Sequence, residues 1–176
     1  MRLLEYNNDG EFSLAEFFSD NIPPYAILSH TWGAEEAAFK DLMNGTGKSK
    51  SGYGKIQFCG EQARHDGLQY FLVDACCIDK LNSCELAEAI NSMLRWYRNA
   101  TRHYVYLTDV SRPAFHMDGK SHELSWEATF QKSRWFTRGW TPRASPAAER
   151  VVFSKNIEIL KITHLMMMVE GGFSST

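Results

Sequence analysis

Residues able to do chemistry gather at the polar ends of three apolar runs. Ser29 and His30 close the run that starts at Tyr25. Asp74, Cys77 and Asp79 follow the run Tyr70 to Val73, and Thr108 and Asp109 follow Tyr104 to Leu107. A histidine base, a serine or cysteine nucleophile and an orienting aspartate would make a nucleophilic triad. Ser29 and His30 are poor partners in one, because adjacent side chains on a strand point to opposite faces. Cys77 with His30 stays open if their strands pair, although free cysteine commonly packs as a small buried hydrophobe. Asp and Ser at strand ends also cap helices and form turns, so each position carries a structural reading beside the chemical one.

Trp135, Arg138 and Trp140 form an aromatic and basic cluster that suits a planar or anionic ligand, with guanidinium stacked over indole. The same residues could pack a core, with Arg138 snorkelling past two indoles. The run Gly45 to Ser49 ends like a phosphate-binding loop, but Leu42 stands where the first glycine is needed, and Lys50 fills the third glycine position of a dinucleotide fingerprint. Those glycines read as loop formers and the neighbouring lysines as solvated. The six histidines are scattered without HxxxH spacing or clustered carboxylates, so no metal is expected.

The elements that must position these residues follow from hydrophobic pattern. The three apolar runs are short and lack alternation, as strands buried on both faces do. Ile56 to His65 suits a helix after a polar, Gly/Ser/Lys-rich loop from Asn44 to Gly54. Leu86, Ile90, Met93, Leu94 and Tyr97 recur at helical spacing, with Glu88, Asn91, Arg95 and Arg98 on the other side, which predicts an amphipathic helix with the apolar stripe inward. Asn82 is placed to cap it, and Glu85 to reach back as in a capping box. Strand, helix and strand in this order predict a parallel pair. The fold class expected is α/β, a parallel sheet flanked by helices, with an irregular C-terminal segment. Residues 113–122 read as a loop, 125–132 as a short helix and 151–153 as a last strand. In such a sheet, ligands sit beyond the carboxyl ends of the strands, where the chemical residues collect.

Composition bounds the rest. The chain has 176 residues, a formal net charge of −2 and 44% hydrophobic residues, values of an ordinary globular domain. Its near-neutral balance offers no basic face for nucleic acid or anionic lipid. No apolar stretch approaches the roughly 20 residues of a membrane span. Glu5 and Asp9 sit where a secretion signal needs an apolar core. Four cysteines without a CxxC pair suggest reduced thiols, so a cytoplasmic location is expected.

Five ordered blocks resemble one family: YAILSHTWG at 25–33, FLVDACCIDK at 71–80, ELAEAINSMLRWYRNA at 85–100, YVYLTDV at 104–110 and SRWFTRGWT at 133–141. Together they are similar to the HET domain of filamentous fungi, named for heterokaryon incompatibility. The resemblance implies a domain over residues 1–154 followed by a poorly ordered tail over 155–176. It implies a role in non-self recognition, inducing cell death when incompatible cells fuse, and self-association beside an unknown protein partner of that system. It also implies a distant relation to TIR domains, which have flavodoxin-like folds and in several branches cleave NAD. In that catalytic version no cofactor is required and NAD is the substrate, positioned by Trp32, Arg138 and Trp140, while a carboxylate stabilises positive charge developing on the ribose. The resemblance puts that carboxylate in a glutamate after Trp140, but Thr141 is followed here by Pro142, Arg143, Ala144 and Ser145. Such a gap suits a degenerate copy or a truncated, frame-disturbed gene. Glu85 is then the alternative catalytic residue, beside its structural reading as a capping-box partner.

Overall fold

A computed structural model describes residues 1–7, 10–18, 21–110, 132–137, 151–153 and 157–159. Seven strands form one sheet: β1 (Arg2–Tyr6), β2 (Phe12–Glu16), β3 (Tyr25–His30), β4 (Tyr70–Leu72), β5 (Arg102–Tyr106), β6 (Val151–Phe153) and β7 (Ile157–Ile159), in the order β2-β1-β4-β3-β5-β6-β7. Four helices accompany them: α1 (Phe39–Met43), α2 (Tyr53–His65), α3 (Asp74–Cys77) and α4 (Ser83–Asn99), with single 3₁₀ turns at Gly47–Ser49 and Arg134–Thr137.

The three apolar runs become β3, β4 and β5, and they lie side by side in one direction. Strand β3 pairs in parallel with β4 (Ile27 opposite Leu72) and with β5 (Ser29 opposite Val105). All six residues of β3 are buried, as a strand covered on both faces requires. The connection through α4 does join parallel strands, but β3 lies between β4 and β5 rather than leaving them adjacent.

An all-parallel sheet is corrected by the structure to a mixed one. Strands β1 and β2 form an antiparallel hairpin, and β1 runs antiparallel to β4. At the other edge β6 is parallel to β5 while β7 turns back on β6. A short loop holding Gly10 at φ +83 lets β1 turn straight into β2, a tight return that only antiparallel strands permit. Strand β7 falls inside the stretch expected to be a tail. The rest of 155–176, the loop of 113–122, residues 125–131 of the expected short helix, and 138–150, which include Arg138, Trp140 and Pro142, lie outside the described residues.

Helices cover both faces of the sheet. On one, Phe58 of α2 packs edge-on against Tyr104 and Tyr106, and Gly60 meets the rings of Phe12, Phe71 and Tyr6. On the other, the Tyr25 hydroxyl donates to the Trp96 carbonyl at 2.6 Å, the Tyr97 hydroxyl donates to the Leu28 carbonyl at 3.2 Å, and Tyr97 stacks on His103. Asn82 caps α4 as expected, accepting from the N–H groups of Cys84 and Glu85.

The buried face of α4 corrects the sequence reading. Ala89 and Ser92 turn inward, whereas Ile90 and Leu94 are each 54% exposed. Small side chains let α4 lie against the sheet while Trp96 and Tyr97 anchor its last turns, so Leu86, Met93 and Tyr97 are half-buried and Ile90 and Leu94 face water.

The stretch 44–54 is more ordered than a solvated loop. Gly52 N–H donates to the Glu35 carbonyl at 2.9 Å, and a Cβ there would stand 2.6 Å from that oxygen and 2.8 Å from the Glu36 Cα. The requirement is space, since its φ of −67 is ordinary. This close approach carries Glu36 onto the first turn of α2. Gly52→Ala should therefore destabilise the fold by about 1–3 kcal/mol, the range for overpacking a close contact. Urea denaturation checks this, and an unchanged midpoint refutes the close-approach argument.

Candidate functional site

The parallel strand tips bring together residues far apart in the chain. His30, the last residue of β3, is 1% exposed, and its Nε2 lies 2.8 Å from Asp74 Oδ1 at the start of α3. The Trp32 indole N–H donates to Asp74 Oδ2 at 3.3 Å, so one carboxylate is shared between two ring nitrogens. Lys80 places its ammonium 3.2 Å from the centre of the Trp32 ring. Burial pulls the Lys80 ammonium below its ordinary value, against the raising pull of Asp74 and Cys76.

Behind His30 stands a residue that the strand-end pattern missed. Lys55, in the first turn of α2, is 5% exposed. It pairs with Glu36, donates to the Thr31 carbonyl at 2.9 Å and lies 3.5 Å from His30 Nδ1. His30 Nδ1 lies 3.3 Å from the Thr31 carbonyl oxygen, to which it could only donate, and 3.5 Å from the Lys55 ammonium, from which it could only accept. Lys55 already occupies that carbonyl at 2.9 Å, so the arrangement expected is an accepting Nδ1 with the proton on Nε2, towards Asp74. The result is a relay from Glu36 through Lys55 and His30 to Asp74, ending at a half-exposed tryptophan. A signal for Lys55 existed: it lies four residues before Cys59 and eight before Ala63, on the buried stripe of α2.

The other expected site residues have structural partners. Ser29 accepts from the buried Trp135 indole N–H at 2.9 Å, on the face opposite His30. The two neighbours thus have separate partners, and Trp135 is buried with its indole N–H engaged. Cys77 Sγ accepts from the Val73 N–H at 3.4 Å, while the free thiol of the neighbouring Cys76 is held well above its usual range, by a side-chain hydrogen bond with the Cys77 thiol first and by burial second. His30 is engaged by Asp74 and Lys55, not by Cys77. Asp79 forms a turn, accepting from the Leu81 N–H at 3.1 Å.

Glu85 does not close the capping box. Its carboxylate passes the cap, accepts from the Asp79 N–H at 2.8 Å and pairs with Arg2, which itself covers the Phe39 ring. Arg2 offers a fixed cation that outcompetes the Asn82 N–H, already given to the Asp79 carbonyl at 3.2 Å.

Asp109, after β5, accepts from the Ser133 hydroxyl and the Arg134 N–H, both at 2.8 Å, and so ties the Trp135 turn to the strand tips. Partial burial alone would raise its carboxyl, but those two donors outweigh it and hold the group below the ordinary carboxylate range. Among the described residues no group of three His, Cys, Asp or Glu side chains is placed to hold a metal ion. No helix among them is long and apolar enough to cross a membrane.

Three outcomes follow from this geometry. Removing the Lys55 ammonium strands the Glu36 carboxylate, so Lys55→Met should lose about 3–5 kcal/mol by urea denaturation, with much of it recovered in Lys55→Met/Glu36→Gln. Nitrogen-15 spectra of His30 should show the Nε2–H tautomer in the unaltered chain, and an Nδ1–H tautomer would contradict the relay. Asp109 is lowered on folding, so its contribution is present above the unfolded value of about 3.9 and fades as pH falls through the lower folded one. The stability difference between the unaltered chain and Asp109→Asn, measured at pH 7, should therefore close in acid; a constant difference would refute the assignment.

Comparison with known proteins agrees with this frame. The family described as "Heterokaryon incompatibility protein (HET)" matches residues 25–122, from β3 through β5 and including His30, Trp32 and Asp74. The chain is 55% identical over 156 residues to "Vegetative incompatibility protein HET-E-1" of Podospora anserina, a match covering 87% of this chain and 11% of that protein. No solved structure matches significantly. With the strand-tip residues inside the matched span and the identity sustained over nearly the whole chain, this protein belongs to the HET family.

Proposed function

We propose that the chain is a cell-death-inducing signalling domain of fungal heterokaryon incompatibility, acting in the cytoplasm through self-association, with its working centre at the tips of β3, β4 and β5. The relay that reaches Asp74 carries this reading. Buried charges stabilise a fold poorly, because desolvation offsets most of their attraction, so an ordered set leading to the protein's rim points to use rather than support. The name of the Podospora relative, which this chain spans in small part, supports the biological setting. Four parallel strands with helices on both faces support a TIR-related, flavodoxin-like ancestry.

A catalytic form of the same centre is favoured by one feature. Asp74 faces two ring nitrogens, one of them on a half-exposed indole, a carboxylate suited to stabilising positive charge on a sugar carbon. Glu85, tied to Arg2 and the Asp79 N–H, is less available. With NAD as substrate, the bond between ribose C1′ and the pyridinium nitrogen breaks and water adds to C1′, giving nicotinamide, ADP-ribose and a proton.

Inducible expression of the chain in a fungal host should arrest growth. Asp74→Asn, which keeps the shape and removes the charge, should relieve the arrest at equal protein level and unchanged circular dichroism. Growth at the rate of an empty-vector control would overturn the reading. Nicotinamide release from NAD by the purified chain, lost in Asp74→Asn, would establish the catalytic form, whereas arrest without release would leave signalling by contact.

A further inference from the structure

The two stripe residues that α4 turns towards water, Ile90 and Leu94, belong to a patterned outer face. Ile90 and Leu94 are each 54% exposed, Leu81 just before the helix is 84% exposed, and Ala87, Asn91 and Arg98 complete the outer face. The other large apolar residues exposed among those described, Phe18, Trp32 and Met43, come from separate segments. Glu88 and Arg95 lie seven residues apart, two turns along one flank of the same helix, and no ion pair among the described residues engages either. Arg95 donates to the Ser92 hydroxyl at 3.1 Å, which holds its stem along that flank.

We propose that the outer face of α4 is a self-association surface, occupied by the α4 of a second copy of this chain lying antiparallel about a two-fold axis. The charge pattern selects the occupant and its direction. A parallel pairing sets Glu88 beside Glu88 and Arg95 beside Arg95, two repulsions. The antiparallel pairing sets each Glu88 against the other copy's Arg95, and one surface then complements itself, as a two-fold interface requires. The midpoint between Glu88 and Arg95 falls at Asn91 and Ser92. Ser92 is buried, so Asn91 is the residue on the axis, where paired amides fix register as polar residues do in helical seams. Leu94 and Ile90 flank it and supply the apolar area. A single helix pair is small for an interface, so the contact is concentration-dependent, on the order of micromolar. This surface gives a place to the self-association in the proposed function and is separate from the His30–Asp74 relay.

Sedimentation velocity on the whole chain across a concentration series tests it. The unaltered protein should rise from monomer towards dimer mass, and Ile90→Glu/Leu94→Glu should stay monomeric with unchanged circular dichroism. Glu88→Arg alone should weaken association at least tenfold, and Glu88→Arg/Arg95→Glu should restore it, an exchange that a merely structural role would not rescue. Asp74→Asn should associate like the unaltered chain, which separates failure of the surface from failure of the strand-tip centre. A protein monomeric at every concentration, or a dimer indifferent to the α4 substitutions, would overturn the proposal.

Discussion

Strand β3 is bonded in parallel on both edges, to β4 and to β5, and the placement of every strand-tip residue depends on that double pairing. Parallel pairing aligns strand ends, so His30, Asp74 and Thr108 reach the same rim although up to 78 positions separate them in the chain, as His30 and Thr108 are. Thr31 and Thr108 hydroxyls approach to 3.5 Å across the β3–β5 gap, while His30 meets Asp74 across the β3–β4 gap. Antiparallel pairing of either neighbour would have sent its polar end to the opposite side of the sheet. Alternation along β3 then divides the work: Ser29 anchors the Trp135 turn on one face, and His30 enters the charged relay on the other.

Much of this arrangement could be read from residue pattern because burial on both faces leaves an unmistakable apolar run. Tyr25 to Leu28 and its two companions had nowhere else to go, and their common switch to polar residues marked the rim. The hairpin of β1 and β2 was harder to see. Glu5, Glu11 and Glu16 interrupt its apolar residues, and pairing at a sheet edge does not demand a continuous core face. In α4 the larger apolar residues outweighed Ala89 and Ser92 in the pattern, yet close packing on a sheet favours small side chains. Hydrophobicity alone ranks these positions in the wrong order.

The relay residues were half visible for a different reason. His30 and Asp74 declared themselves by chemistry at strand ends, but Lys55 and Glu36 owe their place to backbone fit. Glu36 reaches Lys55 because Gly52 lets the 33–36 loop lie on the first turn of α2, and Gly33 N–H donates to Glu36 Oε1 at 2.6 Å to fix its aim. That closeness is a property of three segments at once, and no single segment encodes it.

Lys55 stands buried behind the rim, between the Glu36 carboxylate and His30 Nδ1. The Lys55 charge is answered by Glu36, which leaves the Asp74 charge to be answered by dipoles and by Lys80 over the neighbouring indole. Asp74 therefore sits where ring nitrogens face its carboxylate while its side chain keeps 20% exposure to solvent. The packing that buries Lys55 against Glu36 and Thr31 therefore also sets His30 against Asp74 at the strand tips.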